Sequence, residues 1–286
     1  MSGDPRPIGI FDSGVGGLTV LREIIRHLPD ESVVYFGDTA RVPYGPKSAT
    51  TVRRYSREAA RYLISRDIKL LVIACNTATA RAGATLAAEL DIPVVGVIEP
   101  GARAAAAATV NERIGVIGTV GTIASGKYDL AVRRRLEDAR VYAQPCPLFV
   151  PLVEEGWSEH PVAHTIAAEY LGPLKEVDID VLILGCTHYP VLRSVLADVM
   201  GPTVKLVDSA HETALDVQTL ITAQGMARPS GEPPSYTFIS SDRPSRFREI
   251  GSRIIGDVVG KVEQFNLDDL PSIEAGAGHP AAPSHS

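Results

Sequence analysis

Cysteine is scarce in this chain: three residues in 286. They are too few and too scattered for a disulfide framework. No CxxC occurs, and no Cys/His set has the spacing of a zinc site. The thiols are therefore expected to be reduced, and each needs its own explanation. Basic residues form no long cluster, and the formal net charge is −6 with a pI of about 5.7. A nucleic-acid groove has no electrostatic support in such a chain. The mild acidic excess means solubility rather than a cationic substrate. No apolar run is long enough to span a bilayer, and residues 1–7, short and polar, do not read as a signal peptide. The expectation is a cytoplasmic protein with neither nucleic acid nor membrane as partner. Against these absences stand 45% hydrophobic and 22% charged residues, the balance of a soluble globular protein. The length allows one large α/β domain or two of ordinary size.

Short β-rich apolar runs alternate with stretches of helical period. Segments 8–11, 33–36, 70–74 and 94–98 read as buried strands. Between them, 18–28 carries apolar residues at 18, 21, 24, 25 and 28, and 52–64 carries them at 52, 55, 59, 62 and 63, the periods of amphipathic helices. The second half repeats the pattern with strands at 114–117, 141–143, 181–184 and 204–207 and helices at 128–136, 162–171 and 191–200. A last block adds a helix at 212–223, a strand at 236–239 and a helix at 246–259. Strand–helix alternation of this kind predicts parallel sheets covered by helices.

The sequence also repeats internally. IGIFDSG at 8–14 resembles IGVIGTV at 114–120, and VVYF at 33–36 has a weaker counterpart in RVYA at 140–143. LLVIACNT at 70–77 resembles VLILGCTH at 181–188, and VVGV at 94–97 corresponds to VKLV at 204–207. The offsets stay between 106 and 111 residues. Parallel strands all look Val/Ile-rich, but four pairs in order at nearly one offset argue for duplication. The prediction is an α/β fold of two similar domains, each a parallel-type sheet flanked by helices, related by a pseudo-two-fold with the site between them. Residues 1–98 plus 208–266 form the first domain, 99–207 the second, and 267–286 a disordered tail too poor in apolar residues to order.

Two cysteines fall at matching places of the repeat. Cys75 and Cys186 each end a predicted strand, and Asn76-Thr77 and Thr187-His188 follow as the opening of a helix. Sites in open parallel sheets form at the carboxyl ends of strands. A helix N-terminus there is expected to draw a thiol pKa from about 8.5 towards neutrality and to favour an anion. A lone Cys beside a strand is commonly a small core hydrophobe, and Cys146 in QPCPLF is read that way. Two matched thiols suggest one cleft with a thiol on each wall. Inverting a stereocentre needs that arrangement, because one group removes a proton from one face while another returns a proton to the opposite face. A disulfide pair would also bring two cysteines together but leaves the Thr, Asn and His neighbours without a purpose.

Other residues surround the pair. Asp12 and Ser13 end the first strand, where an acid tunes a thiol or holds an ammonium group, or serves as an ordinary N-cap. Pro43-Tyr44-Gly45-Pro46 reads as a rigid loop, either plain turn chemistry or a substrate clamp. Thr119 and Thr122 follow the strand equivalent to that of Asp12. Glu154 and His188 are candidate acid–base auxiliaries. The stretch from Gly14 to Thr19 lacks the third glycine of a dinucleotide fingerprint, and Tyr128 stands where a P-loop needs Ser or Thr on magnesium. Neither a nicotinamide nor a nucleotide cofactor is expected.

Four segments, DSGVGG at 12–17, GDTARVPYG at 37–45, IACNTATA at 73–80 and LGCTHYP at 184–190, resemble the signatures of the glutamate racemases within the aspartate/glutamate racemase family. The similarity runs from about residue 8 to 264. The resemblance implies an isomerase without pyridoxal phosphate, metal or other cofactor, a glutamate substrate, a homodimer, and a role in supplying D-glutamate for peptidoglycan and cell-wall biogenesis. By the same resemblance Cys75 deprotonates the D-enantiomer and Cys186 the L-enantiomer. Asp12 supports Cys75, while Glu154, preferred over Glu155, and His188 support Cys186. Substrate holders are Asp12, Ser13, Pro43, Tyr44, Gly45, Asn76, Thr77, Thr187 and His188, with Thr79, Thr119 and Thr122 as weaker matches. THYP at 187–190 favours glutamate over aspartate. One departure is His211 in LVDSAHETA, where the family usually carries a smaller or acidic residue. A two-lobed amino-acid binding protein remains the alternative of another class, and binding alone gives no reason for the matched thiols. A racemase or decarboxylase acting on aspartate or another carboxylate is the third reading.

Overall fold

The computed structural model describes residues 3–229 and 231–269. Four strands of the first half, β1 (Ile8–Asp12), β2 (Val33–Gly37), β3 (Leu70–Ile73) and β4 (Val94–Gly96), join two late ones, β9 (Tyr236–Ser240) and β10 (Val262–Gln264), in a six-stranded sheet of order β10-β9-β2-β1-β3-β4. The strands β5 (Arg113–Gly118), β6 (Arg140–Pro145), β7 (Val181–Gly185) and β8 (Lys205–Asp208) form a second sheet of order β6-β5-β7-β8. Every pairing in both sheets is parallel. The order β2-β1-β3-β4 in one sheet matches β6-β5-β7-β8 in the other, so the sequence repeat is a repeat of topology.

Strand side chains alternate between two faces with period two. Ile8, Ile10, Val33, Tyr35, Leu70 and Val72 join one hydrophobic core, while Phe11, Val34, Phe36, Leu71 and Ile73 join another on the opposite face. Helices α1 (Leu18–His27), α10 (Ser209–Ala223) and α11 (Pro244–Ile255) cover the first face. The second is covered by α2 (Ala49–Ile64) and α3 (Asn76–Glu89). In the smaller sheet, Ile117, Leu182 and Leu184 pack under α8 (Pro161–Glu176) and α9 (Arg193–Met200). Ile114, Val116, Val181 and Ile183 pack under α4 (Ile98–Ala108) and α6 (Lys127–Arg133), the short α5 (Val120–Ile123) linking β5 to α6. Burial on both faces explains why these strands read as continuous apolar runs. Each fully buried Ile, Leu or Val contributes about 1.5–3 kcal/mol.

Three differences from the sequence expectation have physical causes. The strand expected at 94–98 stops at Gly96, and Ile98 opens α4. A short apolar run does not distinguish a buried strand from a buried helix start. The helix expected from 191 begins as a 3-10 turn, Tyr189–Leu192, before α9. The N–H groups of Tyr189 and Val191 close tighter i→i+3 bonds onto the Cys186 and His188 carbonyls, at 3.1 Å each, as is frequent at helix N-termini. Residues 267–269, expected in the tail, are instead ordered: Leu267 opens a 3-10 turn, Leu267–Asp269, and is buried against the core of α2 and β2. Residues 270–286, where the rest of that expectation falls, lie outside the described residues.

Candidate active site

The carboxyl ends of β1 and β3 face those of β5 and β7 across a small enclosed cavity. Ser13, Pro43, Tyr44, Gly45, Cys75, Asn76, Thr77, Thr119, Cys186, Thr187 and His188, all singled out in the sequence, line it, together with Val42 and Val150. Its volume is about 20 Å³, room for about one water molecule. A substrate of amino-acid size therefore requires the two walls to part.

Cys75 caps α3. Its Sγ accepts the Ala78 N–H at 3.5 Å and lies 3.5 Å from Ser13 Oγ. Burial, reinforced by the charge of Asp12, pushes this thiol up to about 12, and the bonds from Ser13 and Ala78 offset only part of the rise. The expectation of a thiol drawn towards neutrality is thus overturned at Cys75. Removal from water disfavours the thiolate more than a single helix-terminal N–H favours it. Asp12, fully buried, accepts the Gly14 N–H at 2.8 Å and the Thr187 hydroxyl at 3.5 Å. Burial raises its carboxyl, and the charge of His188 and the backbone N–H groups of Gly14 and Gly17 pull it back.

On the other wall, His188 Nδ1 lies 3.9 Å from Cys186 Sγ and Nε2 lies 3.1 Å from Glu154 Oε1. Burial alone would lower the imidazole, but its bonds to Cys186 and Glu154 win and hold it at about 10. Glu154 ends α7 (Phe149–Glu154), whereas Glu155 turns away to pair with Arg246 at 2.9 Å. The preference for Glu154 over Glu155 thus has a geometric counterpart. Glu154 is not among the lining residues and reaches the cavity only through His188.

Several contacts join the walls. Thr19 Oγ1 donates to the Thr187 carbonyl at 3.1 Å, and Thr77 Oγ1 lies 2.8 Å from Thr119 Oγ1 and 3.1 Å from Thr122 Oγ1. Thr122 stands behind the lining, buried among these hydroxyls. Thr79 is not at the site. Its hydroxyl donates to the Ile73 carbonyl at 2.9 Å, and the residue lines a separate outer cleft beside β4. It sits one helical turn past Cys75, on the side of α3 that faces β4 rather than the cavity. Cys146 is fully buried among apolar side chains, and burial raises its thiol.

Two contributors escaped the sequence reading. The Tyr128 hydroxyl donates to Asn76 Oδ1 at 2.6 Å, and Asn76 Nδ2 is buried with no hydrogen-bond partner among the described residues. This leaves a buried amide donor on a cavity-lining residue, matched to an incoming carboxylate oxygen. Asp38, wholly buried, accepts from the Tyr44 hydroxyl at 2.5 Å, from Arg41 at 2.7 Å and from Ser241 at 2.9 Å, and so fixes the loop that carries Tyr44 and Gly45. An acid at a strand's carboxyl end was the available signal for it. Tyr128 gave none.

Residues 8–216 match the family model described as Asp/Glu/Hydantoin racemase. The chain belongs to this family. It is 54% identical over 263 residues to the glutamate racemase of Geobacter metallireducens, an alignment covering 92% of this chain and 97% of that protein. Among solved structures, it is similar to the glutamate racemase from Francisella tularensis in complex with D-glutamate, with TM-score 0.87 and 36% identity over 93% of this chain and 99% of that one. It is also similar to the glutamate racemase from Thermus thermophilus in complex with β-chloro-D-alanine, with TM-score 0.85 and 45% identity over 93% of this chain and all of that one. Both structural likenesses span the two sheets, so this family member shares the whole architecture of its relatives and not one unit of it.

Proposed function

We propose that this chain is a glutamate racemase in which Cys75 and Cys186 act as opposed acid and base. The observation that carries the reading is the presence of both thiols, from repeat-equivalent strands, on the lining of one cavity. In the L-to-D direction the Cys186 thiolate takes the α-proton. The electron pair left on carbon is stabilised towards the substrate carboxylate, and the Cys75 thiol gives its proton to the opposite face. The thiol and thiolate have then exchanged places, and the reverse direction uses them in opposite roles. Cys75, held at about 12, fits the proton donor of the first direction. His188, with Glu154 behind it, is placed to balance charge on Cys186. The Asn76 amide and the Thr77, Thr119 and Thr187 hydroxyls supply donors for substrate carboxylates, and Asp12 and Ser13 suit the ammonium end. Asp12 also stands to answer the proton load on Cys75. Positioned acid–base groups of this kind contribute roughly 10²–10⁴-fold each.

The resemblance to glutamate racemases across most of their length supports glutamate as the substrate and a role in supplying D-glutamate for peptidoglycan. It also supports a cytoplasmic enzyme without cofactor, acting as a homodimer, with residues 1–98 plus 208–266 and 99–207 as its two domains. Among the described residues, no helix is long and apolar enough to cross a membrane.

The deciding experiment follows solvent deuterium entering the α-carbon of L- and D-glutamate. Wild type should incorporate one deuteron per inversion, and Cys75→Ser and Cys186→Ser should each abolish inversion. Full activity in both variants refutes the two-thiol chemistry. Faster exchange of aspartate than of glutamate refutes the substrate.

A further inference from the structure

Away from the cavity, α1 and α10 bring three metal-ligating side chains together: Glu23, His27 and His211. Glu23 and His27 are four residues apart on one helix and so share a face. His211 comes from the first turn of the other helix, 184 residues further along, a separation that no local zinc spacing reveals. His27 Nε2 lies 3.1 Å from His211 Nδ1, and Glu23 Oε2 lies 3.6 Å from His211 Nδ1 and 4.0 Å from His27 Nε2. Ligands held about 2.0–2.1 Å from a tetrahedral zinc ion lie roughly 3.3–3.4 Å from one another. The three donor atoms thus already stand close to the edges of a zinc coordination polyhedron.

The surroundings suit a bound ion. The side chains of Glu23 and His27 are only 13% and 19% exposed. His211 borders a cleft of about 560 Å³ that also exposes Asp208 and Glu212, so a fourth position is open to water. The competing charge is Arg26, whose guanidinium lies 3.3 Å from His27 Nε2 and 3.4 Å from His211 Nδ1. Arg26 also pairs with Glu23 Oε2 at 3.4 Å, but it is 63% exposed, so a cation that displaces it leaves its guanidinium in solvent. Arg22 lies beside Glu23 at 3.6 Å, at the outer edge of the cluster.

We propose that Glu23, His27 and His211 form a binding site for a zinc-class divalent cation that ties α1 to α10, with Arg26 occupying the site in the metal-free protein. Two imidazoles and one carboxylate are a zinc-type donor set. The site is separate from the two-thiol chemistry and does not depend on it.

The test titrates the full chain with zinc chloride, in wild type and in a Cys75→Ser/Cys186→Ser background that removes the competing active-site thiols. One zinc ion per chain should bind in both. His27→Ala and His211→Ala should each weaken binding by more than the roughly 10–100-fold that loss of an outer-shell partner costs. Arg26→Ala should tighten it, which a cluster serving only as a surface hydrogen-bond network does not predict. X-ray absorption of the zinc-loaded wild type should show a nitrogen/oxygen shell at about 2.0–2.1 Å and no sulfur at about 2.3 Å. The proposal is overturned if His211→Ala binds zinc as wild type does, or if zinc uptake disappears with the two thiols and its absorption shows sulfur ligands.

Discussion

Nε2 of His188 stands 3.1 Å from Oε1 of Glu154, and the other ring nitrogen faces Cys186 Sγ at 3.9 Å. The carboxylate therefore acts on the thiol through the ring, and removing its charge should weaken the Cys186 step alone. Glu154→Gln is expected to lower kcat/KM by roughly 10–100-fold, at or below the roughly 10²–10⁴-fold that one acid–base group supplies, because Glu154 acts only through His188. The loss must be equal in both directions, because the two enantiomers have equal free energy in water. The asymmetry appears instead in the isotope effects. With α-deuterated L-glutamate the effect on kcat/KM should grow, since cleavage by Cys186 becomes more rate-limiting. With α-deuterated D-glutamate it should shrink. Equal changes for both enantiomers would remove Glu154 from the Cys186 side.

The same pairing makes stability depend on pH. The imidazole of His188 titrates at about 10 in the native protein against 6.5 when unperturbed. A group whose native value is raised stabilises the fold fully below the unfolded value and loses that contribution as pH rises through the native one. The contribution of His188 should therefore decline from about pH 6.5 towards pH 10. Cys75, at about 12 against 9.0, adds its own decline only above pH 9. Urea unfolding of wild type between pH 7 and 9 should show a falling unfolding free energy, and His188→Asn should flatten the fall. An unchanged slope in the variant would mean that His188 is neutral in the native protein at pH 7.

Most strands were legible because parallel strands buried on both faces leave uninterrupted apolar runs, and the sequence repeat by itself set Cys75 against Cys186. Helix α4 was not legible. Its sequence IEPGARAAAAA carries alanine where a periodic helix carries large apolar residues, and Ala102 and Ala105 are fully buried all the same, because small side chains let the helix approach the second sheet. At the site, residues next to the strand ends announced themselves by position. Tyr128 did not, because its role comes from a contact 52 residues away with Asn76. Thr79 was misjudged for the opposite reason: it lies in a signature segment, but the turn of α3 carries it to the far side. The raised thiol of Cys75 was out of reach as well, since burial by a second unit is a property of tertiary packing.

Asn76 offers an amide whose Nδ2 has no hydrogen-bond partner among the described residues while its Oδ1 is held by Tyr128. A hydrogen bond to a charged group is worth about 1.5–3 kcal/mol and one between neutral groups about 0.5–1.5. Asn76→Ala should therefore raise KM for both enantiomers by roughly 10–150-fold, at 1.4 kcal/mol per factor of ten. Tyr128→Phe, which frees the amide to rotate and also removes the hydroxyl's bond with Ser209, should raise KM a few-fold and leave kcat within about twofold. Steady-state kinetics in both directions reads these numbers. An unchanged KM in Asn76→Ala would show that the amide does not meet substrate.

Gly16 tests how closely the two walls must fit. A Cβ placed there would lie 2.4 Å from His188 Nδ1 and 2.4 Å from Thr187 Oγ1. Both neighbours belong to the opposite wall, and neither has room to yield without moving the ring away from Cys186 or Glu154. Overpacking of this kind costs about 1–3 kcal/mol in stability, while a shift of about 1 Å at a catalytic group costs roughly 10²-fold in rate. Gly16→Ala should thus fold, with a lowered Tm, and lose about two orders of magnitude in kcat. Gly83, within α3 and followed by no proline, is the control, because a Cβ there meets only Thr79 Cγ2 at 3.7 Å, an ordinary contact. Gly83→Ala should keep wild-type kcat and gain about 0.4–1 kcal/mol from the less flexible unfolded chain. If Gly16→Ala also keeps wild-type kcat, the contact between the Asp12–Gly17 loop and His188 is not what holds the ring in place.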